Sequence, residues 1–176
     1  DNLNGIAIIG MAGRFPDAAD LQAFWEMLIT GQEAFQPLSD ATLLAAGVSP
    51  ELLQHPAYVK ATMVVPEVEC FDAAFFGMSP HDAKLTDPQH RLFLECAYQA
   101  LEQAGYPPAT TDVRTGVYAG AGENTYWKHY LQPQMTHLQA TVGDYRLHIM
   151  NDKDFLATQT AYKLNLNGPA LSIQTA

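Results

Sequence analysis

Basic residues and cysteines are scarce in this sequence. Nine lysines and arginines stand against nineteen aspartates and glutamates, which gives a formal net charge of −10 at pH 7. Nucleic-acid backbones are bound by basic side chains that neutralise phosphates, so we expect no nucleic-acid partner. The two cysteines, Cys70 and Cys96, are too few for a disulfide framework. We predict reduced thiols, with Cys96 packed on the apolar face of a helix.

Long hydrophobic runs and a secretory leader are also missing. No run approaches the roughly 18 apolar residues that a membrane helix requires. Residues 1–5 lack the basic, apolar and small-residue pattern of a leader. These features predict a soluble cytoplasmic protein with no membrane partner. The sequence begins with Asp1 rather than methionine, which favours a piece of a longer polypeptide.

Metal-binding patterns are absent as well. None of the six histidines is followed by another at the i, i+4 spacing that places two imidazoles on one helical face. We therefore predict no metal site. His90 lies in the first turn of a predicted helix, where a surface or capping role is favoured over general-base catalysis. Arg91 and Glu95 are predicted to pair on the same helix.

The residues that are present favour one domain of alternating strands and helices. Hydrophobic residues make up 48% of the 176 residues, enough for one sizeable core. Short β-rich runs predict strands at 6–9, 117–119 and 171–173. Capping residues and apolar periodicity predict helices that begin after Asp20, Ser79, Asp87 and Asn151, and a short helical stretch is predicted near 40–46. This order implies an α/β architecture with a largely parallel sheet, and prolines between 36 and 70 predict a surface excursion.

Two glycine-containing loops follow predicted strands, at 10–14 and 120–122. Neither has the full dinucleotide fingerprint or a Gly-Lys-Ser/Thr ending, and Glu123 would repel a phosphate. A nucleotide-dependent enzyme therefore fits the order of elements but not the chemistry of the loops. A tight turn is favoured at 10–14 instead. The polar and aromatic segment 123–130 is either a surface loop or part of a binding mouth.

Three segments together carry a family resemblance. They read IAIIGMAGRFP at 6–16, DPQHRLFLECAYQALEQAGY at 87–106 and GPALSIQTA at 168–176. The chain resembles, over nearly its whole length, the β-ketoacyl synthase domains of modular polyketide synthases and of hybrid peptide and polyketide assembly lines. That likeness implies the thiolase fold, which has two related α/β halves of layered helices and sheets. Residues 1–176 would be the first half of such a domain.

The resemblance also implies a chemistry. In the family, a catalytic cysteine directly follows QTA and accepts an acyl group from the phosphopantetheine of a carrier protein. Two distant histidines then assist decarboxylation of a malonyl-type extender and Claisen condensation, as in antibiotic biosynthesis. None of these three residues is expected within the chain, so we assign no catalytic residue to it. Its end at Ala176 fits either truncation or a modified residue at the break.

The resemblance assigns supporting roles to six residues. Gln174, Thr175 and Ala176 would flank the nucleophile. Leu147 and Asn151 would line the acyl pocket near the axis of a homodimer, with Glu123 on its other side. The implied partners are an acyl or peptidyl carrier protein, a second copy and the remaining half of the domain, with no directly bound cofactor. An alternative is a non-elongating domain that only transfers acyl chains or holds a dimer.

Overall fold

The computed structural model describes residues 5–108, 110 and 113–174. Two compact units make up the chain. The small unit is Gly13–Glu67, and the large unit combines Asp1–Ala12 with Val68–Ala176. Most of the predicted surface excursion at 36–70 therefore lies in the small unit. That unit begins at Gly13, before the segment that the prolines mark.

The small unit contains three helices and one short strand pair among its described residues. Helix α1 is Leu21–Thr30, β1 is Gln36–Pro37, α2 is Asp40–Ala45, α3 is Pro50–Leu53 and β2 is Ala61–Thr62. Strands β1 and β2 are antiparallel. The predicted start of α1 is confirmed, because Asp20 Oδ1 accepts from the Ala23 N–H at 2.8 Å. Its predicted end is also confirmed, since Gly31 takes the left-handed conformation at φ 69° that favours glycine.

The large unit carries the remaining described elements. They are α4 (Pro80–Leu85), α5 (Pro88–Gln103), β3 (Val117–Ala119), a π-helix (Trp127–Leu131), a 3₁₀ turn (Gln132–Gln134), α6 (Met135–Thr141), α7 (Asp144–Asn151), a second 3₁₀ turn (Lys153–Phe155), α8 (Leu156–Lys163) and β4 (Ala170–Ser172). Ser79 caps α4 and Asp87 caps α5, as predicted from hydroxyl or carboxylate groups before proline.

Strands β3 and β4 form a parallel pair, with Val117 opposite Ala170. One face of this pair packs against α8, and the shared core is made by Val117, Ala119, Leu156, Ala157 and Ala161. The approach of the two backbones requires glycine at 168, because a Cβ there would collide with the Thr115 carbonyl. Two of the three predicted strands are thus confirmed, and the second begins one residue early at Ala170.

The predicted strand at 6–9 is wrong for the described structure. Residues 5–14 contain no strand or helix, and Ile6 is 99% exposed. The segment instead lies against the end of α5, where the Met11 N–H donates to Gln103 Oε1 at 2.6 Å. A β-rich run becomes a strand only when a neighbouring strand pairs its backbone groups. In the described residues β3 and β4 pair with each other and not with this run.

The helix predicted from about 152 to 164 is also shorter than expected. Asn151 is the last residue of α7 rather than a cap, and Asp152 caps the 3₁₀ turn that precedes α8. The reason is tertiary: the Asn151 side chain bonds to carbonyl groups of α4 and α7 instead of its own downstream backbone. Within the described ranges, no helix is long and apolar enough to cross a membrane.

Candidate functional site

A pocket of about 390 Å³ opens in the large unit between the start of α5, the loop after β3 and the end of α7. Its volume lies in the range of small-molecule sites. We call it the α5–α7 pocket. Most of its lining residues are polar or charged: Asp87, Gly122, Glu123, Asn124, Trp127, His148, Asn151, Asp152 and Lys153.

Hydrogen bonds of the Gln89 side chain connect the loop after β3 to the start of α5. Its Oε1 accepts from the Gly122 N–H at 2.8 Å, and its Nε2 donates to Asp87 Oδ2 at 3.2 Å and to the Glu123 carbonyl at 3.4 Å. Gly120 is needed nearby, because a Cβ there would lie 2.9 Å from the Ile173 carbonyl oxygen. Gly120 therefore serves close backbone packing, whereas Gly122 lies in ordinary contact with the Gln89 side chain.

Hydrogen bonds of Asn124 connect the loop after β3 to the π-helix and to the end of α7. Its Oδ1 accepts from the Trp127 N–H at 2.7 Å, and its Nδ2 donates to the Asn151 carbonyl at 2.8 Å. The Trp127 ring lies 6.0 Å from the ring of His148 on α7, measured between centroids. Of the polar and aromatic segment 123–130, Glu123, Asn124 and Trp127 line the pocket, whereas Tyr130 is largely exposed.

Asn151 lies at the junction of α4 and α7 and is only 4% exposed. Its Nδ2 donates to the Leu85 carbonyl at 2.8 Å and to the Leu147 carbonyl at 3.0 Å. These two bonds set the orientation of the amide, and its buried Oδ1 has no hydrogen-bond partner among the described residues. The Oδ1 is therefore an unsatisfied acceptor enclosed by protein atoms in the described part of the chain.

The residues singled out in the sequence divide into three groups. Glu123 and Asn151, 28 positions apart, line the same pocket. Leu147 lies one turn before Asn151 and is fully buried in a cluster with Leu85, Leu131, Leu138 and Met150. Gln174 is exposed just after β4. Thr175 and Ala176 lie outside the described residues, so their flanking role stays a prediction.

His90 is buried, contrary to the predicted surface role. Helices α7 and α8 contribute residues to the small cavity beside it, and its Nε2 has no hydrogen-bond partner in the described part of the chain. Burial lowers the pKa of His90, against the opposing charges of Asp87 and Asp152. The sequence could not show this, because the covering side chains come from helices about 60 residues downstream.

Arg91 is also buried rather than on an exposed helical face. One of its guanidinium nitrogens, Nη1, donates to the Glu69 carbonyl at 3.4 Å.

The pocket also contains residues to which the sequence pattern gives no binding role. Asp87 and Asp152 are predicted only at helix starts, and neither Lys153 nor His148 stands out as a binding residue. The signal that could have found Asp152 and Lys153 is the polar run Asn151-Asp152-Lys153-Asp154 between α7 and α8. Groups of three or more metal-ligating side chains do not occur among the described residues.

Comparison with known proteins identifies the family. The model of the β-ketoacyl synthase amino-terminal domain matches residues 3–176. One of the subunits of the phenolphthiocerol/phthiocerol polyketide synthase of Mycobacterium tuberculosis is 45% identical over 98% of this chain. Polyketide synthase PksN of Bacillus subtilis is 34% identical over 98% of it. The chain spans only 12% and 3% of the lengths of these two relatives.

Solved structures agree with the sequence relatives. Ketosynthase twelve of the bacillaene polyketide synthase of Bacillus amyloliquefaciens superposes with a TM-score of 0.80 at 33% identity, covering 96% of this chain and 29% of that one. The ketosynthase from module 6 of the bacillaene synthase of Bacillus subtilis gives a TM-score of 0.71 at 30% identity, covering 95% and 26%. The fold is the thiolase-like α/β fold that the sequence predicted. The chain therefore belongs to the β-ketoacyl synthase family and matches the amino-terminal domain of polyketide ketosynthases.

Proposed function

We propose that this chain is the first half of a condensing ketosynthase domain in a cytoplasmic polyketide or hybrid assembly line. The proposal rests mainly on the position at which β4 ends. This strand runs parallel to β3, packs its inner face on α8 and is followed by Ile173 and Gln174. Ligands of α/β folds bind outside the carboxyl ends of parallel strands, and the family places its cysteine directly after QTA.

The proposed reaction has two steps. The thiolate of that cysteine attacks the thioester carbonyl of an acyl chain on a carrier protein, and the phosphopantetheine thiol leaves. The start of a helix would stabilise the thiolate, and backbone amides would hold the oxyanion. A malonyl-type extender then loses carbon dioxide. Its carbanion attacks the acyl-cysteine carbonyl, which forms the new carbon–carbon bond and releases the cysteine thiol.

The proposal gives this chain a supporting part in that reaction. Gln174, Thr175 and Ala176 would hold the approach to the nucleophile, while Glu123, Leu147 and Asn151 would form and support the acyl pocket. An acyl or peptidyl carrier protein would deliver both substrates on phosphopantetheine. The second half of the domain and a second copy of the whole domain would complete the site.

The test uses the complete ketosynthase domain and a cognate carrier. Intact-mass measurement after incubation with an acyl-pantetheine thioester should reveal one added acyl group on the cysteine. Addition of malonyl-loaded carrier should then produce a β-ketoacyl carrier and restore the mass of the free enzyme. A cysteine-to-serine variant serves as the control and should gain no acyl group under the same conditions.

The outcomes separate the two proposed functions. Acylation followed by condensation supports the elongating enzyme. Acylation without loss of carbon dioxide supports the non-elongating alternative, a domain that transfers acyl chains. Absence of both reactions with an active carrier contradicts the enzymatic proposal.

A further inference from the structure

The hydroxyl group of Ser172 connects the end of β4 to the start of α8. Its Oγ accepts from the Ala157 N–H at 3.3 Å and donates to the Asp154 carbonyl at 3.1 Å. Ser172 is the last residue of β4, whereas its two partners lie 15 and 18 positions earlier in the chain. A hydroxyl that donates and accepts at once uses both of its hydrogen-bonding functions. The two bonds therefore favour one position of the strand end relative to the helix.

The start of α8 has a physical need for this hydroxyl. Amides in the first turn of an α-helix find no acceptor within the helix, and a polar side chain just before the helix usually supplies one. The residue before α8 is Phe155, whose side chain has no polar atom and makes no cap bond. Ala157 lies in that first turn, and Ser172 supplies its N–H with an acceptor from β4. The strand end thus takes the part of a helix cap.

Backbone pairing with β3 holds the same strand end from another direction. Ser172 lies opposite Ala119, and the Ile173 N–H donates to the Ala119 carbonyl at 2.7 Å. Such ladder bonds lie in the plane of a sheet, whereas side chains point out of it. The bonds of the Ser172 hydroxyl therefore act out of the sheet plane, towards α8. Together the two sets of contacts hold the end of β4 in two roughly perpendicular directions.

We infer that Ser172 is a positioning residue for the nucleophile of the proposed reaction. It acts through the strand end: by holding β4 against α8, it places the residue that follows Ala176 for attack on the acyl thioester. Removal of the hydroxyl leaves the ladder contacts with β3 in place and frees the strand end to shift relative to α8. This inference rests on the proposed function, because the nucleophile is the cysteine that this function places after QTA.

Reaction rates depend steeply on such placement. Displacement of a reacting group by about 1 Å can lower a rate about 100-fold. A strand end that keeps its ladder contacts should shift by less than this, so we expect about a tenfold loss of rate without the hydroxyl. The substrate concentration that gives half of the limiting rate should change little, since Ser172 holds the approach to the nucleophile and not the substrate.

The experiment uses the complete ketosynthase domain and a matched pair of variants. Ser172→Thr keeps the hydroxyl, whereas Ser172→Val puts a methyl group of similar size in its place, and both β-branched residues suit a strand. Intact-mass kinetics with hexanoyl-pantetheine should give a limiting acylation rate about tenfold lower for Ser172→Val and within about twofold of the unsubstituted rate for Ser172→Thr. Ser172→Ala repeats the loss of the hydroxyl without added bulk, in case the valine variant does not fold.

A second readout does not depend on turnover. Alkylation of the nucleophile by iodoacetamide, followed by peptide mass spectrometry, distinguishes that thiol from the exposed Cys70. The thiolate is the reacting form, and the proposed function stabilises it at the start of a helix. The midpoint of the alkylation rate against pH should therefore rise in Ser172→Val and Ser172→Ala and stay in place in Ser172→Thr.

Thr158→Ala is the control for a general effect on α8. The Thr158 hydroxyl is exposed and donates to the Phe155 carbonyl at 3.1 Å, so its removal deletes a hydrogen bond at the same helix start. This variant should keep the acylation rate and the alkylation midpoint of the unsubstituted domain. Circular dichroism at the assay temperature establishes that each variant is folded.

The outcomes test the inference and the proposed function separately. An unchanged rate and midpoint in Ser172→Val and Ser172→Ala would overturn the inference, while acylation of the unsubstituted domain sustains the proposed function. Equal losses in Ser172→Thr or Thr158→Ala would also overturn it, because they would show a general loss of packing. A raised midpoint in a domain that is never acylated would support the inference about position and overturn the catalytic proposal. A domain without a reactive thiol after QTA would overturn both.

Discussion

Two buried polar side chains determine much of the geometry at the residue scale. Asn151 connects the end of α7 to the last turn of α4 through the Leu85 carbonyl, and its own carbonyl accepts from Asn124. His90 occupies the first turn of α5, and its Nε2 has no partner among the described residues. In both cases the side chain is more than 90% buried, so its protonation or hydrogen bonding affects the packing of several helices.

Removal of the Asn151 amide should weaken the fold measurably. Asn151→Ala deletes the side-chain N–H groups that bond to the Leu85 and Leu147 carbonyls, so these carbonyls lose a hydrogen bond. We expect the free energy of unfolding to fall by about 1–3 kcal/mol. Chemical denaturation at constant pH measures the change. Asn167→Ala is the control, because Asn167 is exposed, and should change the value by less than about 0.5 kcal/mol. Equal losses for both variants would contradict the role assigned to Asn151.

The buried imidazole should make stability depend on pH. Because burial lowers the pKa of His90, folded and unfolded chains both hold it neutral above about pH 6.5. Below that pH the unfolded chain takes up a proton that the folded chain resists. The free energy of unfolding should therefore fall as pH drops from 6.5 towards 5, with a slope of up to about 1.4 kcal/mol per pH unit from this group.

Comparison with a variant isolates that contribution. His90→Gln should show a shallower loss of stability between pH 6.5 and 5 in denaturation curves, whatever its stability at pH 7. His137→Gln is the matched control, because His137 is exposed and should leave the slope of the unsubstituted chain unchanged. Parallel curves for the unsubstituted chain and His90→Gln would rule out His90 as the source of the pH dependence.

At the scale of elements, α8 and the β3–β4 pair form one packed layer. Leu156 is almost fully buried between them, and the Ser172 hydroxyl on β4 accepts from the Ala157 N–H at 3.3 Å. The same hydroxyl donates to the Asp154 carbonyl at 3.1 Å, so the strand and the start of the helix share one polar junction. This layer holds the strand that leads to Gln174.

Truncation of the core side chain should loosen that layer. Leu156→Ala removes a buried side chain and leaves a cavity, so we expect a loss of about 2–5 kcal/mol in the free energy of unfolding. Thermal or chemical denaturation measures it. Leu171→Ala serves as a control from β4, because that side chain is half-exposed on the opposite face and should lose far less. A smaller loss at 156 than at 171 would show that the α8 layer is not the main core of the sheet.

At the scale of the whole molecule, the β3–β4 pair has one exposed face among the described residues. Tyr118 and Leu171 are neighbours across the β3–β4 register and are both about half-exposed on the face opposite α8. Contiguous apolar surface of this kind promotes association in water. The net charge of −10 opposes association but does not cover this face.

We therefore expect the 176-residue chain on its own to self-associate. Light scattering coupled to size exclusion should give a mass above 19.3 kDa that rises with concentration. The double substitution Tyr118→Lys and Leu171→Lys should shift the population towards the monomer. Tyr162→Lys, which changes an exposed tyrosine on the outer side of α8, should not. A monomeric unsubstituted chain at all concentrations would contradict the expected role of the sheet face.

Local signals determined several helix starts and the family. Asp20, Ser79 and Asp87 cap helices because their side-chain oxygens reach amides two or three residues away, so the sequence alone predicts those starts. The segments at 6–16, 87–106 and 168–176 were sufficient for the ketosynthase assignment, and with it for the thiolase-like fold. These inferences need only neighbours along the chain or the resemblance.

Tertiary structure decided the remaining features, because they depend on residues that are distant in sequence. The run at 6–9 has strand-forming residues but pairs with no strand in the described structure, and His90 is buried by helices that no local pattern places over it. Asn151 ends a helix instead of starting one because carbonyls of α4 and α7 bind its amide. The pocket that joins Glu123 to Asn151 likewise exists only after α5, α7 and the loop after β3 have packed together.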